Sequence, residues 1–205
     1  MRLQKAIFFN RAPFNKLELN FDDSNIFVLS GINGKGKTTV LSYIVDSFYE
    51  LAKQAFQNEF ENIANKFYRV SSFLSTLDST KPSIVYLRYT DKGHILDYID
   101  LRGDCSKEVY NAIINLDEKI PFESIRKSSL VSKIWSVNNK NEIQDLFSKN
   151  LLTYFPAYRY ETPSYLNDPY KIKLKFHTNL EFSGYLPNPI EVISDIDAIA
   201  NWIMD

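Results

Sequence analysis

Gly31, Gly36, Lys37 and Thr38 stand at the spacing G-x-x-x-x-G-K-T within the stretch Ser30-Gly31-Ile32-Asn33-Gly34-Lys35-Gly36-Lys37-Thr38-Thr39. Those residue types at that spacing suit a polyphosphate. Glycines let several backbone N–H groups converge on an anion with no side chain in the way. A helix starting just after them would aim its positive end and its unbonded amides at the same anion. Lys37 is expected to bridge the outer phosphates, as the catalytic cation, and Thr38 to offer its hydroxyl to Mg²⁺. Asn33, Gly34, Lys35, Gly36 and Thr39 complete the expected binding set. Three of the six glycines of the chain fall in this loop, which argues against a turn that merely happens to contain a lysine.

The loop needs elements to hold it. Ile26 to Leu29 is continuously apolar, the pattern of a strand covered on both faces, and it runs directly into the glycines. Behind the loop, Leu41, Ile44, Val45, Phe48, Leu51, Ala52, Ala55 and Phe56 recur at helical spacing. They predict a helix from Lys37 to about Asn58, extending towards Phe67. Upstream, Leu3 to Phe9 and Lys16 to Phe21 read as strands around Asn10-Arg11-Ala12-Pro13-Phe14-Asn15. Downstream, Ser83 to Tyr89 and His94 to Leu101 read as a hairpin turning at Thr90-Asp91-Lys92-Gly93.

Further along, Ser106 to Lys119 reads as a helix with Val109, Ile113, Ile114 and Leu116 inward, followed by helices over Phe122 to Val137 and Asn141 to Asn150. Leu151 to Phe155 returns to a buried-strand pattern, stopped by Pro156. Lys171 to Phe182 alternates like an edge strand, and Glu191 to Met204 reads as a final helix. The fold class is therefore α/β: a mixed sheet with an antiparallel hairpin and flanking helices.

Composition narrows the function classes. A chain of 205 residues suffices for one substantial domain, and 44% hydrophobic with 24% charged residues describes an ordinary globular protein. The net charge of -1 leaves no overall electrostatic footprint for nucleic acid. The single cysteine, Cys105, excludes an intrachain disulfide and fits a reducing cytoplasm. No apolar run reaches the length of a membrane span, so no membrane partner is expected.

Asn33-Gly34-Lys35-Gly36-Lys37-Thr38-Thr39 resembles the N-G-x-G-K-[ST]-T phosphate loop of ABC-class ATPases. The opening of the chain resembles the N-terminal half of the RecF, structural-maintenance-of-chromosomes and overcoming-lysogenisation-defect branch, where a strand, an Asn-Phe-Arg-like turn and a second strand lead into that loop. Here Asn10 to Phe14 occupies the turn, so the resemblance implies Arg11 as a nucleotide-proximal cation. It implies ATP and Mg²⁺ as ligands, and a fold that is the first lobe of a P-loop NTPase. It also implies a homodimer or a second ATPase half as partner, with DNA or an effector protein beyond that by analogy.

The departures matter as much. No glutamine follows Leu151 to Phe155, where that class carries a glutamine loop; the four glutamines are Gln4, Gln54, Gln57 and Gln144. Either Arg159 or Glu161 stands at that corner instead, or the lobe diverges there. No Leu-Ser-Gly-Gly-like signature is present. The nearest match to a metal-binding acidic strand is Ala112 to Glu118, ending in Asp117-Glu118, but Asn115 interrupts it and its apolar spacing is helical. Residues 1–205 are thus expected to form one nucleotide-binding lobe, the N-terminal part of a larger or split ATPase. Three rivals remain: a self-contained AAA- or RecA-like NTPase using Asp117 and Glu118, a small-molecule kinase, and a non-enzymatic nucleotide-gated assembly module.

Overall fold

The alternation read in the strands is realised as a five-stranded antiparallel sheet in the computed structural model, which describes residues 1–21, 25–56, 70–71, 76–125, 131–150, 152–155 and 190–192. The elements are β1 (Arg2–Arg11), β2 (Phe14–Asn20), α1 (Lys37–Ala55), β3 (Ser83–Asp91) and β4 (His94–Arg102). They are followed by α2 (Lys107–Ile113), a 3₁₀ turn (Phe122–Ser124), β5 (Val131–Trp135), α3 (Lys140–Lys149), β6 (Leu152–Tyr154) and β7 (Ile190–Val192). The large sheet runs β2-β1-β3-β4-β5, and a separate parallel pair joins β6 to β7.

The chain divides into two compact units, Met1–Val40 with Ser72–Asn138, and Leu41–Ser71 with Asn139–Asp205. The first contains the large sheet. Its register places Ile7, Tyr86 and Ile99 side by side across β1, β3 and β4, and Ile84 opposite Leu101. On that face Tyr110, Ile113, Ile114, Ile120, Phe122 and Ile125 close a core cluster with them. Each such side chain, fully buried, contributes about 1.5–3 kcal/mol. Phe8, Val85, Leu87 and Tyr98 on the opposite face are buried as well. There Trp135 of β5 stacks on Tyr89 at 5.3 Å and meets Tyr98 at 5.4 Å.

A buried polar network ties the segment after α2 to this sheet. Arg88 donates to both carboxylate oxygens of Asp97 at 2.8 Å and to the Asp117 carbonyl at 2.9 Å. Tyr86 Oη donates to Asp97 Oδ2 at 2.6 Å and accepts from Ile120 N at 3.1 Å. Burial first, then the hydrogen bond to the Asp97 carboxylate, push the Tyr86 phenol far above its ordinary value.

In the second unit, Phe147 of α3 meets Phe48 and Phe56 edge-on at 6.4 and 5.8 Å. Asp46 of α1 accepts from Val70 N at 2.6 Å and also binds the Ser71 hydroxyl. Asn139 caps α3 by accepting from Asn141 N and Glu142 N.

Several expectations are corrected. Ile26 to Leu29 joins neither sheet, and Ile26 and Val28 are each 78% exposed. A continuous apolar run states what surroundings a strand requires; it does not supply them. The helix expected over Ser106 to Lys119 stops at Ile113, and Val109 is exposed. Within the helix expected over Phe122 to Val137, residues 131–135 pair with β4 instead, because the V-S-K-I-W alternation fits a free sheet edge and delivers Trp135 to the two tyrosines. Residues 191 and 192 belong to β7 rather than to a helix. The α1 extension towards Phe67, the strand Lys171 to Phe182, the helix beyond residue 192, and Arg159 and Glu161 lie outside the described residues.

Candidate functional site

The glycine loop lies between the segment 26–30 and the first turn of α1. Gly34 and Gly36 have φ of 80° and 88°, in the region where a side chain is strained and glycine is not. Asn33, Gly34, Lys35 and Thr38 are exposed, Lys37 and Thr39 half-buried, and Gly36 buried. The first helical bond runs from Val40 N to the Gly36 carbonyl at 3.0 Å, so α1 starts at the loop's last glycine. A helix start presents amides that have no partner inside the helix. Lys37 reaches back across the loop, its Nζ donating to the Gly31 carbonyl at 2.6 Å and the Ile32 carbonyl at 3.0 Å. Asn33 to Gly36 thus form the loop, Lys37 to Thr39 open α1, and the lysine side chain folds back over the loop.

The hairpin turn between β1 and β2 meets the loop at Gly36. A Cβ built on Gly36 would lie 2.8 Å from Pro13 Cδ and at least as near the Phe14 ring. Only a glycine accommodates that approach. The Phe14 ring rests in turn on fully buried Phe8, with centroids 5.5 Å apart.

Two anchors set this turn. Asn10 is 4% exposed and has a left-handed φ of 50°. Its Nδ2 donates to the carbonyls of Asp78, Lys81 and Pro82 at 2.7, 3.0 and 3.2 Å, and its Oδ1 accepts from Asp78 N at 2.9 Å. Asp78 shapes that segment by accepting from Thr80, and hydrogen bonds from Thr80 and then Lys81 hold its carboxyl at about 2. Arg11 is the second anchor. Its side chain is fully buried and its Nη2 donates to Asp100 Oδ1 at 3.2 Å. Arg102 also binds Asp100, at 3.1 Å. Burial alone would raise the Asp100 carboxyl; the Arg11 and Arg102 charges outweigh it and hold it below its ordinary value.

Arg11, expected as a nucleotide-proximal cation, thus turns inward to Asp100. It bears on the loop through the turn it anchors. Asn10, Phe14 and Asp100 carry parts the sequence reading did not assign. A signal existed for the last: Asp97 and Asp100 interrupt the otherwise apolar run of β4, and a carboxylate in such a run needs a buried cation. Nothing in the sequence marks Phe14 as the neighbour of Gly36.

Asp117 and Glu118 do not end a strand. They lie in a turn after α2, with Glu118 at a φ of 53° and the Asp117 carbonyl engaged by Arg88. Among the described residues no group of three or more His, Cys, Asp or Glu side chains could hold a metal ion, and no helix is long and apolar enough to cross a membrane. The exposed Thr38 hydroxyl is the kind of single oxygen donor that would fit Mg²⁺, an ion that keeps most of its waters and takes other contacts from phosphates.

Comparison with curated proteins finds no match. A family model described as "AAA domain" matches residues 9–182, a span that takes in the anchored turn, the loop, β2 to β5 and the last residues of β1. The chain belongs to that family of AAA-type P-loop ATPase domains, in which nucleotide binding is the common activity.

Proposed function

We propose that this chain binds ATP with Mg²⁺ through Asn33, Gly34, Lys35, Gly36, Lys37, Thr38 and Thr39, as the N-terminal lobe of an ABC-type ATPase. The observation that carries the reading is the loop itself: two glycines at left-handed φ, a lysine lying across the loop, and a helix that begins at its end. The loop amides and the start of α1 receive the phosphates. Lys37 exchanges its two carbonyl partners for phosphate oxygens and so balances their charge. Thr38 holds Mg²⁺, which supplies the charge that a transferring phosphoryl group requires.

In this reading a second half, from another copy or another chain, supplies the acidic strand and signature, and residues 1–205 alone hydrolyse slowly. The exposed Ile26, Phe27, Val28 and Ile32 support it, since an apolar run leading into the loop calls for cover on both faces. A DNA-directed or defence role follows only by analogy with the branch the sequence resembles.

Thermal unfolding with and without Mg-ATP tests the reading. Ligand at ~100 times its dissociation constant adds ~2.7 kcal/mol, which for a chain of this size raises Tm by roughly 5–10 °C. Lys37→Ala removes most of that rise. An equal rise in the variant overturns the assignment of Lys37, and brisk Mg²⁺-dependent phosphate release by the isolated chain overturns the need for a second half.

A further inference from the structure

We infer that Phe14 is a positioning residue for the phosphate loop: its ring, backed by Phe8, sets the backbone of Gly36 and thereby the direction of the loop's neighbouring amides. The inference deepens the reading of the loop as a nucleotide site and rests on it.

Three observations converge on this pair. The ring occupies the space a Cβ on Gly36 would need, with the Pro13 ring beside it, so side chains of the turn lie against the loop's backbone. The ring does not float: Phe8 lies beneath it at 5.5 Å and is fully buried. The turn that carries it is held on both sides, by Asn10 on three carbonyls and one amide, and by Arg11 on Asp100.

The left-handed backbone of Asn10 also breaks the strand alternation. It brings Arg11 and Phe14 to the sheet face of Phe8 and Asp100, the face from which Phe14 reaches Gly36. Gly36 is the last residue before α1 and accepts that helix's first bond. A loop of glycines is free to sample many backbone states, and most of them do not converge amides on an anion. A rigid ring against one of those glycines removes states from the free loop, and affinity then rises in proportion to the competent fraction.

Hydrogen exchange of the nucleotide-free protein tests the contact without reference to ligand. Phe14→Ala is expected to speed exchange of the amides at residues 33–38, while Phe14→Leu, which keeps an apolar side chain over Phe8, speeds it less. Unchanged exchange in Phe14→Ala overturns the inference. Calorimetric titration with Mg-ATP then reads the consequence: a competent fraction cut to a tenth weakens binding about tenfold in Phe14→Ala, with Phe14→Leu between that variant and wild type.

Ile113→Ala, which opens the core under α2 and touches neither turn nor loop, lowers Tm and leaves the affinity unchanged. An affinity in Phe14→Ala that falls no further than in Ile113→Ala overturns the claim that the ring prepares the loop for phosphate. A wild-type chain that takes up no Mg-ATP overturns the nucleotide reading instead, and the exchange rates still decide whether Phe14 holds the loop.

Discussion

The Arg11 guanidinium and the Asp100 carboxylate, 3.2 Å apart, are 0% and 2% exposed, and they join the last residue of β1 to β4 across the intervening β3. A charge in that position is stable only while its counter-charge remains. Asp100→Ala leaves two arginines facing a void and is expected to cost about 3–5 kcal/mol, read as a lower urea midpoint. Replacing the pair together, as Arg11→Met with Asp100→Leu, recovers much of the loss, because the desolvation cost of both ions goes with them. A single variant as stable as wild type would show that the pair does not hold the turn.

The same pair gives a pH dependence with a definite sign. Burial raises the Asp100 carboxyl, the arginines lower it further, and the net position is below the ordinary carboxylate value. A carboxyl lowered on folding stabilises the fold above its unfolded value of about 3.9, and that contribution is lost as pH falls through the folded value. Asp78, held at about 2, acts in the same direction. Between neutral pH and about pH 5 neither contribution should change; below it, stability should fall more steeply in wild type than in Asp100→Asn. Urea unfolding across that range measures the two slopes, and parallel slopes would exclude the linkage.

Asn10 faces three carbonyls with its amide nitrogen, so the direction of its hydrogen bonds matters more than its size. Asn10→Asp keeps the volume and places an acceptor against acceptors in a buried site. It is expected to destabilise by roughly 2–4 kcal/mol at neutral pH, because the lost bonds are joined by an unpaired charge. Asn10→Ala loses the bonds without adding the charge and should fall between that variant and wild type. Chemical denaturation at neutral pH orders the three proteins.

Gly36→Ala meets both a left-handed φ and the Phe14 ring. Strain and overcrowding together should cost about 2–5 kcal/mol or displace the loop. Adding Phe14→Ala removes the crowding from the ring but also its packing on Phe8, and it leaves the φ strain and Pro13, so the double variant should be less destabilised than the two single losses added together. A double-mutant cycle by denaturation gives the coupling between the two positions, and additivity would mean that they do not touch.

Tyr86→Phe deletes one oxygen that donates to Asp97 and accepts from the buried Ile120 amide. The orphaned amide should cost about 1–3 kcal/mol. Amide exchange at Ile120 should rise more than at Leu87, which keeps its place in the sheet. Equal protection at both would show that the network does not hold the segment after α2.

Where the amino-acid pattern was local, it was sufficient. The alternation in Leu17 and Leu19 placed β2, the apolar spacing through Ala55 placed α1, and Lys92-Gly93 formed the turn between β3 and β4 with φ of 49° and 87°. The pattern misled where two periods competed. Val131 to Trp135 fitted the end of a longer helical run, and the open edge of β4 made it a strand. Ser106 to Lys119 had helical spacing throughout, yet α2 ends at Ile113, and Arg88 and Tyr86 hold the Asp117 carbonyl and the Ile120 amide beyond it.

The sequence by itself marked residues 31–39 as the candidate phosphate loop, because that chemistry depends on residue type and spacing along the chain. It also determined that strands flank a hairpin turn ahead of the loop. Only the tertiary structure decided that Arg11 turns inward to Asp100, that Asn10 fastens the turn to residues 78–82, and that Phe14 occupies the space beside Gly36. Those are contacts between residues 22 to 89 positions apart. Their partners are chosen by sheet register and burial, which no local period encodes.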